Sequence, residues 1–235
     1  TLVLPCRFEK IELSNNFFWV SSEGLYGIYN RYGSTIIPCR YNQIELTDRC
    51  FYVCRDRLKG VYNRYGSVII PCQFSQIECK DNAYYVTKGK YQGIYNLYGS
   101  VIVPTQYTSI YKEGGKYLVE NDSLKGIVNA YGSTVIPCKY NTIEYEDGVY
   151  YVSAGGKYGI YNTYASTILP CRYNSVRKEG REYLVENNGL QGIVNTYGST
   201  IIPCRYNKIQ QEGNIYYVTV NGKKGIFNRY GSTII

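Results

Sequence analysis

Apolar and polar positions alternate along this chain in a pattern that returns every 33 residues. Its markers are Pro5, Pro38, Pro71, Pro104, Pro137, Pro170 and Pro203, and there is no other proline. Three places after each stands an aromatic residue (Phe8, Tyr41, Phe74, Tyr107, Tyr140, Tyr173, Tyr206). Three further on comes Ile or Val (Ile11, Ile44, Ile77, Ile110, Ile143, Val176, Ile209). This spacing predicts a first short strand. Polar, turn-prone residues follow, such as Ser14-Asn15-Asn16, and then a compact apolar run, as in Phe18-Trp19-Val20 or Tyr84-Tyr85-Val86, that predicts a second strand. A recurrent glycine (Gly27, Gly60, Gly93, Gly126, Gly159, Gly192, Gly225) opens a third strand that ends in Asn. Asn-x-Tyr-Gly-Ser then predicts a tight turn, because the glycine can take positive φ. The turn leads into a fourth strand such as Thr35-Ile36-Ile37. That strand is expected to stop at the next proline, which has no N–H for the ladder.

The seven copies act as internal replicates. Where the second strand carries Leu118 or Leu184, the third carries Val128 or Val194; where it carries Trp19, Tyr52, Tyr85, Tyr151 or Tyr217, the third carries Tyr29, Tyr62, Tyr95, Tyr161 or Phe227. Such joint change is expected of direct cross-strand partners in an antiparallel hairpin, worth roughly 0.2–1 kcal/mol each. Both faces of the hairpin are apolar, so each unit must be stacked on both sides.

The predicted fold class is therefore all-β: seven tandem 33-residue four-strand antiparallel repeats, β-propeller-like, with an open β-superhelix or solenoid array as the alternative. The repeats are counted as 5–37, 38–70, 71–103, 104–136, 137–169, 170–202 and 203–235 of one tandem-repeat domain, with 1–4 as the last strand of a preceding repeat. Two features weigh against a closed ring of seven. The fourth strand occurs once too often, counting residues 1–4 and 232–235, and the units alternate with a weak 66-residue superperiod. The chain opens partway through a unit and without Met, so an excerpt of a longer protein is expected.

The run Tyr26-Gly27-Ile28-Tyr29-Asn30-Arg31-Tyr32-Gly33-Ser34-Thr35-Ile36-Ile37-Pro38-Cys39-Arg40-Tyr41-Asn42-Gln43-Ile44 resembles the bacterial WG, or KWG, repeat, whose pattern is roughly Trp-Gly-Val-Ile-Asp-x-x-Gly-x-x-Val-Ile-Pro-x-x-Tyr-Asp-x-Ile. The likeness extends over every unit. It departs at the name-giving Trp, replaced here by Tyr26, Lys59, Gln92, Lys125, Tyr158, Gln191 and Lys224, and at the Asp, replaced by Asn. The resemblance implies tandem repeats in multidomain bacterial proteins, interaction roles and no shared catalytic residues.

Composition narrows the chemistry. Thirty Tyr with no Met suit a pleated backbone. The absence of His removes imidazole catalysis and His-ligated zinc. No apolar run of about 18 residues is present, so no membrane insertion is expected. Cys6, Cys39, Cys72, Cys138, Cys171 and Cys204 follow the prolines. One thiol per unit makes no metal centre, and they are expected to be small apolar fillers at a strand end. Cys50 and Cys54 lie too far apart along one strand to bridge. Unpaired thiols lean the compartment toward the cytoplasm. No phosphate loop, nucleophile with base or recurrent carboxylate pair is found, so neither enzyme activity nor a cofactor is expected.

The net charge of +8 comes partly from a basic position two after the proline, Arg7, Arg40, Lys139, Arg172 and Arg205, joined near the tight turn by Arg31, Arg64 and Arg229. Repetition would align these cations as a stripe, partly neutralised by Glu12, Glu45, Glu78 and Glu144. The function expected is a non-catalytic repeat scaffold for protein–protein interaction or self-assembly. A multivalent carbohydrate-binding module, with tyrosines beside Asn and Arg as shallow sugar pockets, is the alternative, and polyanion binding through the stripe a third; nucleic acid is the least favoured partner.

Overall fold

The structure, a computed structural model, describes residues 3–234. Every described element is a β-strand. Strands occur in six four-stranded antiparallel sheets and a three-stranded seventh, each in simple sequential order. The sheets take residues 10–41, 43–74, 76–107, 109–140, 142–173, 175–206 and 208–228. Chain contacts separate two compact units, Thr1–Tyr111 with Ala130–Gly132, and Lys112–Asn129 with Ser133–Ile235.

Sheet 1 shows the plan: Lys10–Ser14, Phe17–Ser22, Leu25–Asn30 and Thr35–Tyr41. The first two hairpins close with two-residue turns in which both residues have positive φ, as at Asn15 and Asn16, then Glu23 and Gly24. That geometry matches the twist of the flanking strands. At the third turn, the Asn30 Oδ1 accepts from the N–H groups of Tyr32 and Ser34, both at 2.9 Å. The same side-chain cap recurs in the other sheets, as at Asn63, Asn96, Asn162, Asn195 and Asn228.

The expected stop at proline is not what the fold does. The fourth strand runs through Pro38 to Tyr41, pairing Thr35 with Tyr29, Ile37 with Ile28 and Tyr41 with Tyr26, with a register shift in each interval. Between Ile37 and Tyr41 the edge strand bulges outward by two residues, and a residue without an N–H costs little there. The recurrent glycine sits against this bulge. A Cβ on Gly27 would lie 2.8 Å from the Cys39 Cα, and one on Gly126 2.7 Å from that of Cys138.

The cross-strand pairing is also one residue away from the expectation. Trp19 opposes Ile28, and Tyr29 opposes Phe18. Opposed residues share a face, so Trp19 and Tyr29 lie on opposite faces of the sheet and their joint change is no direct contact. One face carries Phe18, Val20 and Tyr29, packed with Leu4 and Phe8. The other carries Phe17, Trp19 and Ile28, packed on Phe51, Val53 and Tyr62 of sheet 2. The same arrangement joins sheet 2 to 3, and, in the second unit, 4 to 5, 5 to 6 and 6 to 7. Within the units, sheets 1, 2, 5 and 6 thus have the covering on both faces that the pattern demands. Each fully buried Ile or Val of these seams contributes about 1.5–3 kcal/mol.

At the chain ends, the strand expected over residues 1–4 lies outside the described residues at 1 and 2, and Val3 and Leu4 form a bend. The fourth strand expected at 232–235 is reduced to one bridge, Phe227 to Thr233, with residue 235 outside the described residues.

Candidate interaction site

The aromatic three places after a proline is the buried anchor of a seam at Tyr41, Phe74, Tyr140, Tyr173 and Tyr206. Tyr41 of sheet 1 packs edge to face on Tyr62 of sheet 2 with ring centroids 6.0 Å apart and their hydroxyls 2.7 Å apart. Tyr140 and Tyr161 repeat this at 5.8 Å and 2.8 Å. Phe74 on Tyr95 and Tyr206 on Phe227 keep the ring contact alone. Burial, and then the bond to Tyr62, push the Tyr41 phenol up to about 12.

The cations predicted as a stripe divide into two groups. Those two places after the proline cover the seam rings from outside. Arg7, Arg40, Lys139, Arg172 and Arg205 lie 5.2–5.5 Å above the ring of the next residue. Arg40 also donates to the hydroxyls of Tyr41 (3.2 Å) and Tyr62 (3.3 Å), and Arg7 to that of Tyr29 (2.9 Å). Their positions are exposed, and their stems complete the seam. Arg31, Arg64 and Arg229 belong to the third-turn tips instead. Arg64 donates to the Asp48 carbonyl at 3.4 Å and lies 5.6 Å over Phe17; Arg229 covers Tyr230. Among the described residues no ion pair joins the recurrent glutamates to the seam cations; Glu12 and Glu78 pair with Lys10 and Lys80 on their own strands.

Cys6 is exposed and outside any strand, whereas Cys39, Cys72, Cys138, Cys171 and Cys204 are half-buried inside the fourth strand rather than at its end. Their thiols donate to carbonyls of the third strand, Cys39 to Leu25 at 3.1 Å and Cys171 to Lys157 at 2.8 Å. Burial raises the thiols of Cys39, Cys72, Cys138, Cys171 and Cys204 above the ordinary value, which lowers their nucleophilicity. All nine cysteines are free, and among the described residues no cluster of three or more acidic or thiol ligands could hold a metal ion. No helix is long and apolar enough to cross a membrane.

Two surfaces stand out. The first consists of the third-turn tips. Tyr32, Tyr65, Tyr98, Tyr131, Tyr164, Tyr197 and Tyr230 are 76–92% exposed, one from every repeat. Their backbone is fixed by the Asn cap and by contact with the preceding sheet, where a Cβ on Gly66 would lie 2.8 Å from the Ile36 carbonyl. Ala165 holds the glycine's place in the fifth repeat at φ 71°. The sequence offered tyrosines beside Asn and Arg only as shallow sugar pockets and did not single out these tips. Its signal was available: these tyrosines fall between Asn and Gly inside a turn, out of phase with the strands.

The second surface is a set of grooves at the first-strand side of the seams. On the seam-facing side of sheet 5 the first strand offers Thr142, Glu144 and Glu146, where the second to fourth strands offer Tyr151, Ile160 and Leu169. Polar side chains do not close against the next sheet, so the seam opens there into a cavity of about 670 Å³. Smaller grooves lie beside Glu45 and Tyr52 (about 360 Å³) and beside Glu12 and Trp19 (about 270 Å³). The residues that replace the WG tryptophan, Tyr26, Lys59 and Tyr158 among them, line these grooves. In the seam from sheet 6 to 7, Gln191 instead accepts from the Ile209 N–H at 2.8 Å.

Among known families, the WG containing repeat matches residues 126–158, one period of the chain. No curated protein matches. Among solved structures, a eukaryotic initiation factor is 11% identical, over 99% of this chain and 78% of that one, with a TM-score of 0.29. Hsv2 of Kluyveromyces lactis is 9% identical over 91% and 89%, at 0.26. PorZ of Porphyromonas gingivalis is 10% identical over 97% of this chain, at 0.27, and this chain spans 37% of its length.

Proposed function

We propose that this chain is a non-catalytic interaction scaffold whose tyrosine-bearing tips bind a protein partner or further copies of the chain. The observation that carries this reading is the set of seven tip tyrosines, each more than three-quarters exposed on a capped turn. Tyrosine supplies a large amphipathic contact area while fixing few rotatable bonds, which is why it concentrates in binding hot spots. Burying it at an interface recovers apolar area that the isolated chain leaves in water. Arg31, Arg64 and Arg229 beside three of the tips supply charge for steering toward an acidic partner surface. The absence of His and the desolvated thiols are in keeping with a scaffold that performs no chemistry of its own.

The test replaces Tyr131, Tyr164, Tyr197 and Tyr230 together with Ser. Light scattering reports self-association, and affinity capture from a lysate of the source cells reports partners. The wild-type chain is expected to associate with itself or to retain a defined protein, and the variant to lose that association at unchanged circular dichroism. Equal retention by the variant, or no association by either chain, overturns the reading.

A further inference from the structure

The groove between sheets 5 and 6 joins an excess of negative charge to aromatic rings, apart from the tips and independent of the proposal above. On sheet 5 the first strand turns Glu144 and Glu146 into the groove. Glu144 lies opposite Tyr151, and Tyr158 stands beside them, 45% exposed. Sheet 6 contributes Val176 and one cation, Lys178, opposite the buried Tyr183. The Lys178 ammonium is committed to the Asp147 carboxylate at 2.9 Å. Arg177 stands opposite Leu184, on the face turned to sheet 7, and pairs with Glu179 at 2.5 Å, so it does not offset the groove carboxylates. Among the described residues no ion pair joins Glu144 or Glu146. The groove therefore sets three carboxylates against one ammonium.

Sheet 3 shows what such a pair of side chains holds. There Glu78 lies opposite Tyr85, as Glu144 lies opposite Tyr151, and Lys80 occupies the place that Glu146 takes in sheet 5. The Lys80 ammonium lies 4.5 Å from the Tyr85 ring centroid and 3.5 Å from the Glu78 carboxylate. Ring face and carboxylate attract the same cation, so the pair is a ready seat for an alkyl ammonium. Sheet 5 keeps the glutamate and the ring but replaces the chain's own ammonium with a second carboxylate. No other repeat sets two carboxylates beside the ring. Sheets 1 and 2 have Ser14 and Thr47 at the second place, sheets 4 and 6 have Leu118 and Leu184 for the ring, and sheet 7 has Gln210 for the first carboxylate.

We infer that the groove between sheets 5 and 6 binds an aliphatic polyamine, whose ammonium groups take the place of the lysine this repeat lacks. One ammonium sits at Tyr151 as that of Lys80 sits at Tyr85, donating to Glu144 and Glu146. With Asp147 held by Lys178, two carboxylates remain uncompensated, and two ammonium groups on one chain match them. The alkyl stem lies against Tyr158, as lysine stems lie on apolar surface. The cavity of about 670 Å³ admits such a chain. A divalent metal ion is a poorer fit, because among the described residues no three acidic or thiol groups come together as ligands. The chain as a whole carries a net charge of +8, so diffuse attraction does not draw cations to it and binding reports a local seat.

The test titrates the purified full chain, with no protein partner present, against putrescine, spermidine, methylamine, tetramethylammonium and calcium ion, read by calorimetry at low salt. Putrescine and spermidine are expected to bind with a Kd on the order of 1 mM or below, and to weaken as salt is added. Methylamine, with one charge, and tetramethylammonium, which cannot donate a hydrogen bond, should bind about tenfold or more weakly than spermidine. Glu146→Lys installs the ammonium that sheet 3 carries and should weaken spermidine binding by about tenfold or more at an unchanged melting temperature. Tyr151→Leu, the side chain of sheets 4 and 6, should weaken it by about fivefold, whereas Tyr151→Phe keeps the ring and retains binding, which separates loss of the seat from misfolding. Binding of neither polyamine, binding unchanged by Glu146→Lys, or calcium ion or tetramethylammonium bound as tightly as spermidine overturns the inference.

Discussion

The tyrosines that stand three after five of the prolines and the tyrosines two after each third-strand Asn share one 33-residue period and one side chain, and they meet opposite fates. Tyr41, Tyr140 and Tyr206 are buried in seams, whereas Tyr32, Tyr131 and Tyr197 stand almost fully in water. The difference comes from backbone phase. A seam tyrosine belongs to a strand whose inward face meets the next sheet, so its ring completes a core, and at Tyr41 and Tyr140 its hydroxyl finds another phenol. A tip tyrosine lies in a turn whose polar groups are already paired by Asn, out of phase with the strands, so its ring joins no seam and stays in water. Stability therefore resides in the seams, and what can be offered to a partner resides in the tips.

The largest expected effect comes from emptying a seam. Tyr140→Ala removes a ring that packs on Tyr161 and leaves that hydroxyl without its bond, and it should cost about 3–5 kcal/mol, read as a fall in the urea midpoint. A cost near that of a surface change would mean the seams do not carry the fold.

Alkali should act on the same seams. The phenols of Tyr41, Tyr52 and Tyr151 sit at about 12 against an ordinary 10.0, burial being the first cause in each. Above pH 10 the unfolded chain releases these protons while the folded chain still holds them. The stabilisation is therefore complete below pH 10 and lost as pH rises toward 12. Melting temperatures recorded across that window should fall steeply, and a flat profile would show that the seam phenols ionise freely.

The smallest effect belongs to the tips. Tyr98→Ser should alter stability by less than about 0.5 kcal/mol, because the side chain is 91% exposed. A change comparable with Tyr140→Ala would abolish the distinction between the two classes.

The thiol and cap positions show how far sequence reading reaches. Asn30 and its equivalents were legible as turn caps, because an Asn before x-Tyr-Gly-Ser has few other uses and its bonds are local. The strand order was legible for the same reason: each hairpin is closed by residues adjacent in the chain. The place of Pro38 inside a strand was not, since it depends on a bulge opposite Gly27, and the need for that glycine is visible only where the Cys39 backbone presses on it. The pairing of Trp19 with Tyr29 failed by one residue, because joint variation among seven copies records membership of one repeat type as well as contact. For the candidate surfaces, the cations were found by counting. Their packing over seam rings, and the grooves beside Glu144 and Tyr158, were not.

By itself, then, the order of residues determined the 33-residue period, the antiparallel sheets and the apolar character of both their faces, because these follow from local turns and a two-residue alternation. Only the tertiary structure decided which face meets which neighbour, which tyrosines are buried, and where polar first strands leave a seam open. Those outcomes depend on the stacking of successive sheets, an interaction between residues that no single repeat contains.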